Sequence, residues 1–340
     1  MPNGKPVIVN SDGTVSVIAA VDQALSSAVV FESAAVVYNS ATFDSSNNKV
    51  VIAYRDGGNN YGTAVVGTVS GTNISFGTPV VFESAVTSFI SATFDSNSNK
   101  VVVAYKDDGN SNRGTAIVGT VSGTGISFGT AVVFFSGESE AISAVFDSSN
   151  NKVVIFYREG VVANAGQVNV GTVSGTGISF GSAVTFNSTR TENISAVYDS
   201  NAEKIVVSYE NYGNSQYGTS IVGTVSGTSI SFGSAVVFES GTSNYIAATF
   251  DSINNKVVIA YQDVGNSSYG TAVVGTVSGT SISFGTPVVF ENATVSFISP
   301  TFDTSNNKVV IAYRDTGNSN YGTLIVGTVS GTSINFGTAI

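Results

Sequence analysis

A segment of 52 residues occurs six times in this 340-residue sequence, and no other feature limits the fold as strongly. The marker Val-Gly-Thr-Val-Ser-Gly-Thr advances by 52 residues from copy to copy, with its first glycine at Gly67, Gly119, Gly171, Gly223, Gly275 and Gly327. A period of this size is typical of proteins built from one supersecondary unit, which cannot bury its apolar face alone and therefore stacks on copies of itself. We expect a series of similar, packed units.

Each repeat contains four runs of strand-forming residues separated by turn residues. In the second repeat these are Phe89–Asp95, Lys100–Tyr105, Gly114–Ser122 and Gly125–Phe134, here called strands A to D. Strand B is apolar on both faces, as in Val50–Tyr54 of the first repeat, so it must be covered on both sides. Four strands in about 50 residues with short turns are typical of a β-propeller blade. The alternative is a parallel β-solenoid, which the antiparallel turn spacing disfavours.

The repeats fill residues 28–340, and the two ends of that range complement each other. The last D strand stops at Ile340, before the expected continuation Val-Phe-Glu-Ser, which is found instead at Val30–Ser33. We therefore predict an all-β fold, a β-propeller of 52-residue four-stranded blades that is closed by joining the N- and C-terminal strand segments. Six blades are the first prediction and seven the alternative.

Residues 1–27 form a predicted N-terminal hairpin or extension. The apolar runs Val7–Val9 and Val15–Ile18 flank Asn10–Thr14, which contains the Asp-Gly pair that favours a tight hairpin turn. Such a hairpin would cap the ring, begin a seventh blade or reach a neighbouring subunit.

Composition excludes several classes of function. The chain has no His and no Cys, so imidazole or thiol catalysis and zinc sites with N or S ligands are excluded, and we predict no metal and no cofactor. A net charge of −10 without a basic cluster argues against nucleic acid. No apolar run approaches the roughly 20 residues of a membrane helix, and the N-terminus lacks the apolar core of a signal peptide. We expect a protein that is not inserted in a membrane and lacks a signal peptide.

The two ends of the predicted blades differ in how uniform they are. The A–B turn repeats almost unchanged, as Asp44–Lys49 in the first repeat, and predicts a turn held by an Asp–Lys pair. One Asp per turn is too few for a calcium loop. The B–C and D–A loops vary, as Ser136–Ala141 and Asn187–Asn193 show. Variable loops on a rigid scaffold are where binding is usually placed, although drift after duplication also produces variation.

Two sets of residues on the variable face are candidate ligand-binding residues. The first is the position six residues before each turn Asp, which is aromatic in four repeats: Tyr38, Phe89, Tyr245 and Phe297. Aromatic faces beside charged groups suit sugars, and packing against the next blade is the alternative. The second set is a charged pair at the end of strand B: Arg55 and Asp56, Lys106 and Asp107, Arg158 and Glu159, and Arg314 and Asp315. Adjacent opposite charges of this kind are most often solvated and contribute little stability.

No catalytic arrangement is recognisable in the sequence, and we predict that the protein is not an enzyme. A glycosidase needs two carboxylates in distinct environments, which symmetric repeated acids do not supply. Glycosidase activity is kept only as the weakest alternative.

The wording of the repeat resembles a known group of proteins. Lys-Val-Val-Ile-Ala-Tyr-Arg-Asp and Tyr-Gly-Thr-Ala-Val-Val-Gly-Thr-Val-Ser-Gly-Thr-Ser-Ile-Ser-Phe-Gly-Thr-Pro-Val-Val-Phe-Glu resemble repeats of large structural proteins of aquatic, particularly cyanobacterial, phages. The resemblance covers residues 28–340 and implies a structural or adhesive protein, such as a tail-fibre or other virion appendage or a self-assembling extracellular fibril. It implies a virion or extracellular location, with further copies of itself or other virion proteins as partners. The alternative function is a propeller lectin that binds cell-surface carbohydrate through the variable face.

Overall fold

The protein is all-β in the computed structural model, which describes residues 7–9, 15–17 and 28–340. Strands β1 (Val7–Val9) and β2 (Val15–Val17) form a separate antiparallel pair. The rest of the predicted extension 1–27 lies outside the described residues. No helix in the described ranges is long and apolar enough to cross a membrane.

The repeats form six four-stranded antiparallel units, numbered 1 to 6 along the chain. Units 1 and 2 use β3 (Val36–Asp44), β4 (Lys49–Asp56), β5 (Tyr61–Ser70), β6 (Asn73–Phe76), β7 (Val80–Asp95), β8 (Lys100–Asp107), β9 (Arg113–Ser122) and β10 (Gly125–Phe128). Units 3 and 4 use β11 (Val132–Asp147), β12 (Lys152–Glu159), β13 (Ala165–Ser174), β14 (Gly177–Phe180), β15 (Val184–Asp199), β16 (Lys204–Asn211), β17 (Tyr217–Ser226) and β18 (Ser229–Phe232). Units 5 and 6 use β19 (Val236–Asp251), β20 (Lys256–Asp263), β21 (Tyr269–Ser278), β22 (Ser281–Phe284), β23 (Val288–Asp303), β24 (Lys308–Asp315), β25 (Tyr321–Ser330) and β26 (Ser333–Phe336). Short 3-10 turns follow strand B in three units, at Asp108–Asn110, Tyr212–Asn214 and Val264–Asn266.

Each long strand belongs to two units. Val80 at the start of β7 pairs with Ala64 of unit 1, whereas Asp95 at its end pairs with Lys100 of unit 2. The predicted D–A loops, such as 136–141 and 187–193, are therefore wrong, because these residues lie inside β11 and β15. The chain crosses from the outer edge of one unit to the inner position of the next without reversing, so no turn is needed. The solenoid alternative is also wrong, since the pairings are antiparallel.

The core lies between consecutive units. Five clusters of buried side chains fill the five interfaces from unit 1 to unit 6. Strand B supplies their centre: Val101, Val103 and Tyr105 of β8 are fully buried, as a strand apolar on both faces requires. The Tyr105 hydroxyl donates a hydrogen bond to Glu83 across 3.2 Å, so the polar end of this side chain is satisfied.

The A–B turns are closed by hydrogen bonds to the aspartate and not by an Asp–Lys ion pair. Asp44 Oδ1 accepts hydrogen bonds from the backbone N–H groups of Ser46 and Asn47, both at 3.0 Å, and Asn48 takes a left-handed conformation with φ 54°. The Lys49 ammonium instead donates to Thr68 on the neighbouring strand at 2.8 Å. The expected Asp–Lys pair is not formed there, and the lysine ties the turn to strand C.

Units 6 and 1 do not meet as the other units do. Phe31 packs on Tyr54 and Phe76 in the way that Phe82 packs on Tyr105 and Phe128, so residues 28–33 lie on unit 1 in the expected place. Ile340 exchanges two backbone hydrogen bonds of 2.9 Å with Leu324 and thereby begins the outer strand of unit 6. However, no atom of the described residues lies within 4 Å of the place that a Cβ on Gly322 would take, whereas each corresponding glycine of units 1 to 5 lies against a phenylalanine. We call this junction the seam.

Candidate functional site at the inner rim

The inner strands bring six corresponding residues together at one end of the molecule, and we call this set the inner rim: Tyr38, Phe89, Ala141, Asn193, Tyr245 and Phe297. All six have positive φ, between 49° and 53°. The pairing register of strand A shifts at the same place in every unit, for example between Val37 and Ser40. Ala141 and Asn193 share the conformation with the aromatic residues, so this bulge is a property of the fold and not of one side chain.

The inner rim has an aromatic side. The Tyr38 and Phe89 ring centroids lie 5.2 Å apart, and those of Tyr245 and Phe297 lie 5.5 Å apart. Phe297 is 66% exposed and Tyr38 is 40% exposed, so packing against the next unit leaves a large part of both rings accessible to a ligand. The four aromatic residues predicted from sequence thus form two contacting pairs, on units 1 and 2 and on units 5 and 6.

The opposite side of the inner rim, on units 2 to 4, is charged. Lys106 Nζ lies 3.0 Å from Glu138 and 3.5 Å from Glu140, and Arg158 forms ion pairs with Glu140 and Glu192. Arg190 extends this network to Glu192 at 3.0 Å. The four glutamate and arginine residues at 138, 140, 190 and 192 were not singled out from the sequence. Strand register was the missing signal, because Glu140 lies directly opposite Arg158 in the β11–β12 ladder.

The predicted charged pairs are divided between two environments. The cations Arg55, Lys106, Arg158 and Arg314 end strand B at the inner rim. Their acidic neighbours instead hold the B–C loops through backbone N–H groups. Asp56 accepts from Gly58, Asp107 from Asn110, and Asp315 from Gly317 and Asn318.

Glu159 holds the most heavily bonded of these loops. Its carboxylate accepts from the backbone N–H groups at 161, 162, 163 and 165. Burial alone would raise the pKa of Glu159, but these four bonds outweigh it and lower the pKa. Burial also raises the pKa of Asp107, with a further contribution from the Glu83 charge. The acidic members of the predicted set therefore act in loop structure, each through at least one carboxylate oxygen that accepts from backbone N–H groups.

Two cavities open at the inner rim. One of about 400 Å³ lies among units 1 to 5 and is lined by Tyr38, Phe89, Ala141, Asn193 and Ile246. The other, of about 710 Å³, lies at the seam and is lined by Tyr38, Asn39, Arg55 and Phe297. We call the second one the seam cavity. Its volume is that of a small-ligand site, and its wall combines the aromatic rings of Tyr38 and Phe297 with the Arg55 guanidinium.

A third cavity, of about 610 Å³, lies on unit 3 away from the inner rim. Its wall is apolar because Phe135 stands where other repeats carry a glutamate, such as Glu83, and because Val161 and Val162 lie in the loop that Glu159 holds. Tyr157 consequently bonds Asn169 at 2.8 Å instead of a glutamate.

Comparison with known proteins supports the fold. No protein-family model matches the chain, and no curated protein matches its sequence. Among solved structures, the BP39L lectin from Burkholderia pseudomallei superposes with a TM-score of 0.63 at 12% identity, over 88% of this chain and 83% of that one. AofleA from Arthrobotrys oligospora gives 0.54 at 11% identity over 89% and 87%, and a Lactobacillus plantarum protein gives 0.61 at 10% identity over 88% and 83%. The chain therefore shares a repeat β-propeller-like fold with these proteins.

Proposed function

We propose that this protein is a non-enzymatic, carbohydrate-binding propeller and that the seam cavity is its binding site. The observation that carries the proposal is that Tyr38, Phe297 and Arg55 line one cavity, although they are far apart in sequence. Small-ligand sites combine an apolar, mostly aromatic wall with a few polar groups that fix orientation. The lectin with the same fold supports this function over the virion-appendage prediction. The acidic residues of the predicted set are excluded from the proposed contacts, because they hold the loops.

The proposal is tested by glycan binding of point variants. Tyr38→Ala and Phe297→Ala should each weaken binding of glycans selected on an array by about tenfold or more, since aromatic anchors dominate such sites. Phe43→Ala is the matched control, because Phe43 is an exposed aromatic residue on the same strand as Tyr38 but at its other end. If wild-type protein binds no glycan, or if all three variants bind equally well, the proposed site is wrong.

We also propose that residues 28–33 close the ring with six blades by pairing with β25. Support comes from Ile340, which begins the missing outer strand on Leu324, and from Phe31, which already packs on unit 1. Residues 30–33 would continue the strand that Ile340 begins. A seventh blade would need strand length that residues 28–340 do not contain.

A second candidate function is a virion appendage or extracellular fibre that assembles from copies of the chain. Its support is the resemblance of the repeats and the exposed edge at the seam, where Tyr321 is 64%, Leu324 43% and Val326 41% exposed. Only the last residues of the range bond this edge, at Leu324 and Val326, and an apolar edge that is paired over so short a stretch favours strand pairing with another chain. Electron microscopy of the purified protein at increasing concentration distinguishes the two: filaments favour assembly, and single discs favour a carbohydrate-binding module.

A further inference from the structure

The cations of the inner rim differ in whether a carboxylate neutralises them. Lys106 and Arg158 each lie within ion-pair distance of at least two carboxylates. Arg55 has no such partner among the described residues, and Arg314 bonds only the neutral Asn320 amide oxygen, at 2.9 Å. The positive charge of the inner rim is therefore uncompensated at the seam and compensated on units 2 to 4.

Arg55 is oriented by an aromatic ring, and its N–H groups stay available for a ligand. Its guanidinium carbon lies 5.0 Å from the Tyr38 ring centroid, and its buried Nε has no hydrogen-bond partner among the described residues. Stacking on an aromatic face fixes the plane of a guanidinium and leaves its N–H groups, which only donate, free to bind an acceptor. Phe297 forms part of the same wall of the seam cavity.

We infer that the seam cavity selects an anionic saccharide, whose carboxylate or sulfate group binds Arg55 while the sugar ring packs on Tyr38 and Phe297. This inference rests on the carbohydrate-binding function proposed above. A guanidinium matches a planar carboxylate with two parallel hydrogen bonds, and charge-assisted bonds of this kind are about twice as strong as neutral ones. The chain has a net charge of −10 and therefore repels anions in general. An arginine without a carboxylate partner makes the potential positive within its own ligand-sized cavity, so anions are attracted there.

The test compares three probes by calorimetry: galactotriose, its uronic-acid counterpart tri-galacturonate, and a sulfated galactotriose. At low salt we expect tri-galacturonate to bind about tenfold more tightly than galactotriose, and this preference to shrink as salt is raised. If the sulfated probe is preferred instead, the anion at Arg55 is a sulfate. Arg55→Gln should bring the ratio of anionic to neutral affinity close to one.

Arg190→Gln is the matched control, because it removes the same charge from the inner-rim region but outside the seam cavity. It should keep the preference for the anionic probe. Equal affinity of wild-type protein for all three probes overturns the inference while leaving carbohydrate binding intact. A preference that is lost in Arg190→Gln and kept in Arg55→Gln also overturns it. Absence of binding to every saccharide would overturn both proposals.

Discussion

Glu210 is out of place among its counterparts. Four of the six corresponding positions at the end of strand B are cations, whereas Glu210 lies directly opposite another carboxylate, Glu192, in the ladder. Its side chain is 1% exposed, Oε2 accepts a 2.8 Å bond from Asn193, and Oε1 has no partner among the described residues. Burial raises the pKa of Glu210 from 4.5 to about 7, the Asn193 bond opposes the shift, and Glu192 adds to it.

Glu210 should make stability fall as pH rises. The unfolded chain loses this proton near its ordinary pKa of 4.5, whereas the folded protein keeps it until about pH 7, so the folded state is disfavoured progressively between those values. Glu210→Gln removes the effect and keeps an acceptor for Asn193. We expect it to stabilise the protein by roughly 1–3 kcal/mol at pH 8 and very little at pH 4. Urea unfolding at both pH values measures this, with the exposed Glu203→Gln as control. An equal gain at both pH values would contradict the explanation.

At the scale of the strand, neighbouring units are joined by a repeated serine. The hydroxyl oxygens of Ser40, Ser91, Ser143 and Ser195 each accept a bond of 2.9–3.0 Å from the backbone N–H of an alanine one unit further on. The fifth position carries Ala247, which has no hydroxyl, and the residue facing it is Pro300, which has no N–H. Loss of the acceptor therefore coincides with loss of the donor, as expected if an unsatisfied buried N–H is costly.

Ser143→Ala should destabilise the protein by about 1–2 kcal/mol, because the Ala196 N–H loses its partner between two units. Ala247→Ser is the matched control and should bring no gain, since Pro300 offers no donor. Thermal unfolding of both variants beside wild type measures the difference. A Ser143→Ala variant as stable as the wild type would show that water replaces the hydroxyl without cost.

Periodicity predicted the strands well and their connections poorly. Strand B was expected at Lys100–Tyr105 and is found at Lys100–Asp107, because its apolar run is buried on both faces and needs no knowledge of its neighbours. The D–A crossing was misassigned, since polar residues such as Ser139 and Glu140 resemble a loop although they lie in a strand. The candidate site followed the same division. The four aromatic residues were predictable from the spacing of the repeats. That Arg55 lines the cavity whereas Asp56 bonds the loop depends on the direction of each side chain, which spacing does not give.

At the scale of the whole molecule, closure can be measured directly because the chain contains no Cys. Val81 pairs with Thr63 within unit 1, and the corresponding residues at the seam are Val30 and Thr323. If the ring closes as proposed, Val30→Cys with Thr323→Cys should form an intramolecular disulfide under mild oxidation. Thr63→Cys with Val81→Cys is the positive control.

The product of oxidising the Val30→Cys, Thr323→Cys variant distinguishes ring closure from fibre assembly. A cross-linked monomer, seen by its faster migration on a non-reducing gel and by its intact mass, supports closure. Cross-linked dimers and higher species would mean that the edge of β25 meets another copy of the chain, which favours the fibre. Free thiols at the seam beside a full cross-link in the control would contradict both.

The shared long strands also bear on how such a chain grows. The segment copied in the gene, 52 residues long, does not coincide with a folded sheet, because β7, β11, β15, β19 and β23 each serve two sheets. A newly inserted copy therefore takes its outer strand from the residues that follow it and supplies one to the sheet before it. A duplicated copy lengthens the array only by sharing strands with both of its neighbours, so no single copy forms a complete sheet by itself.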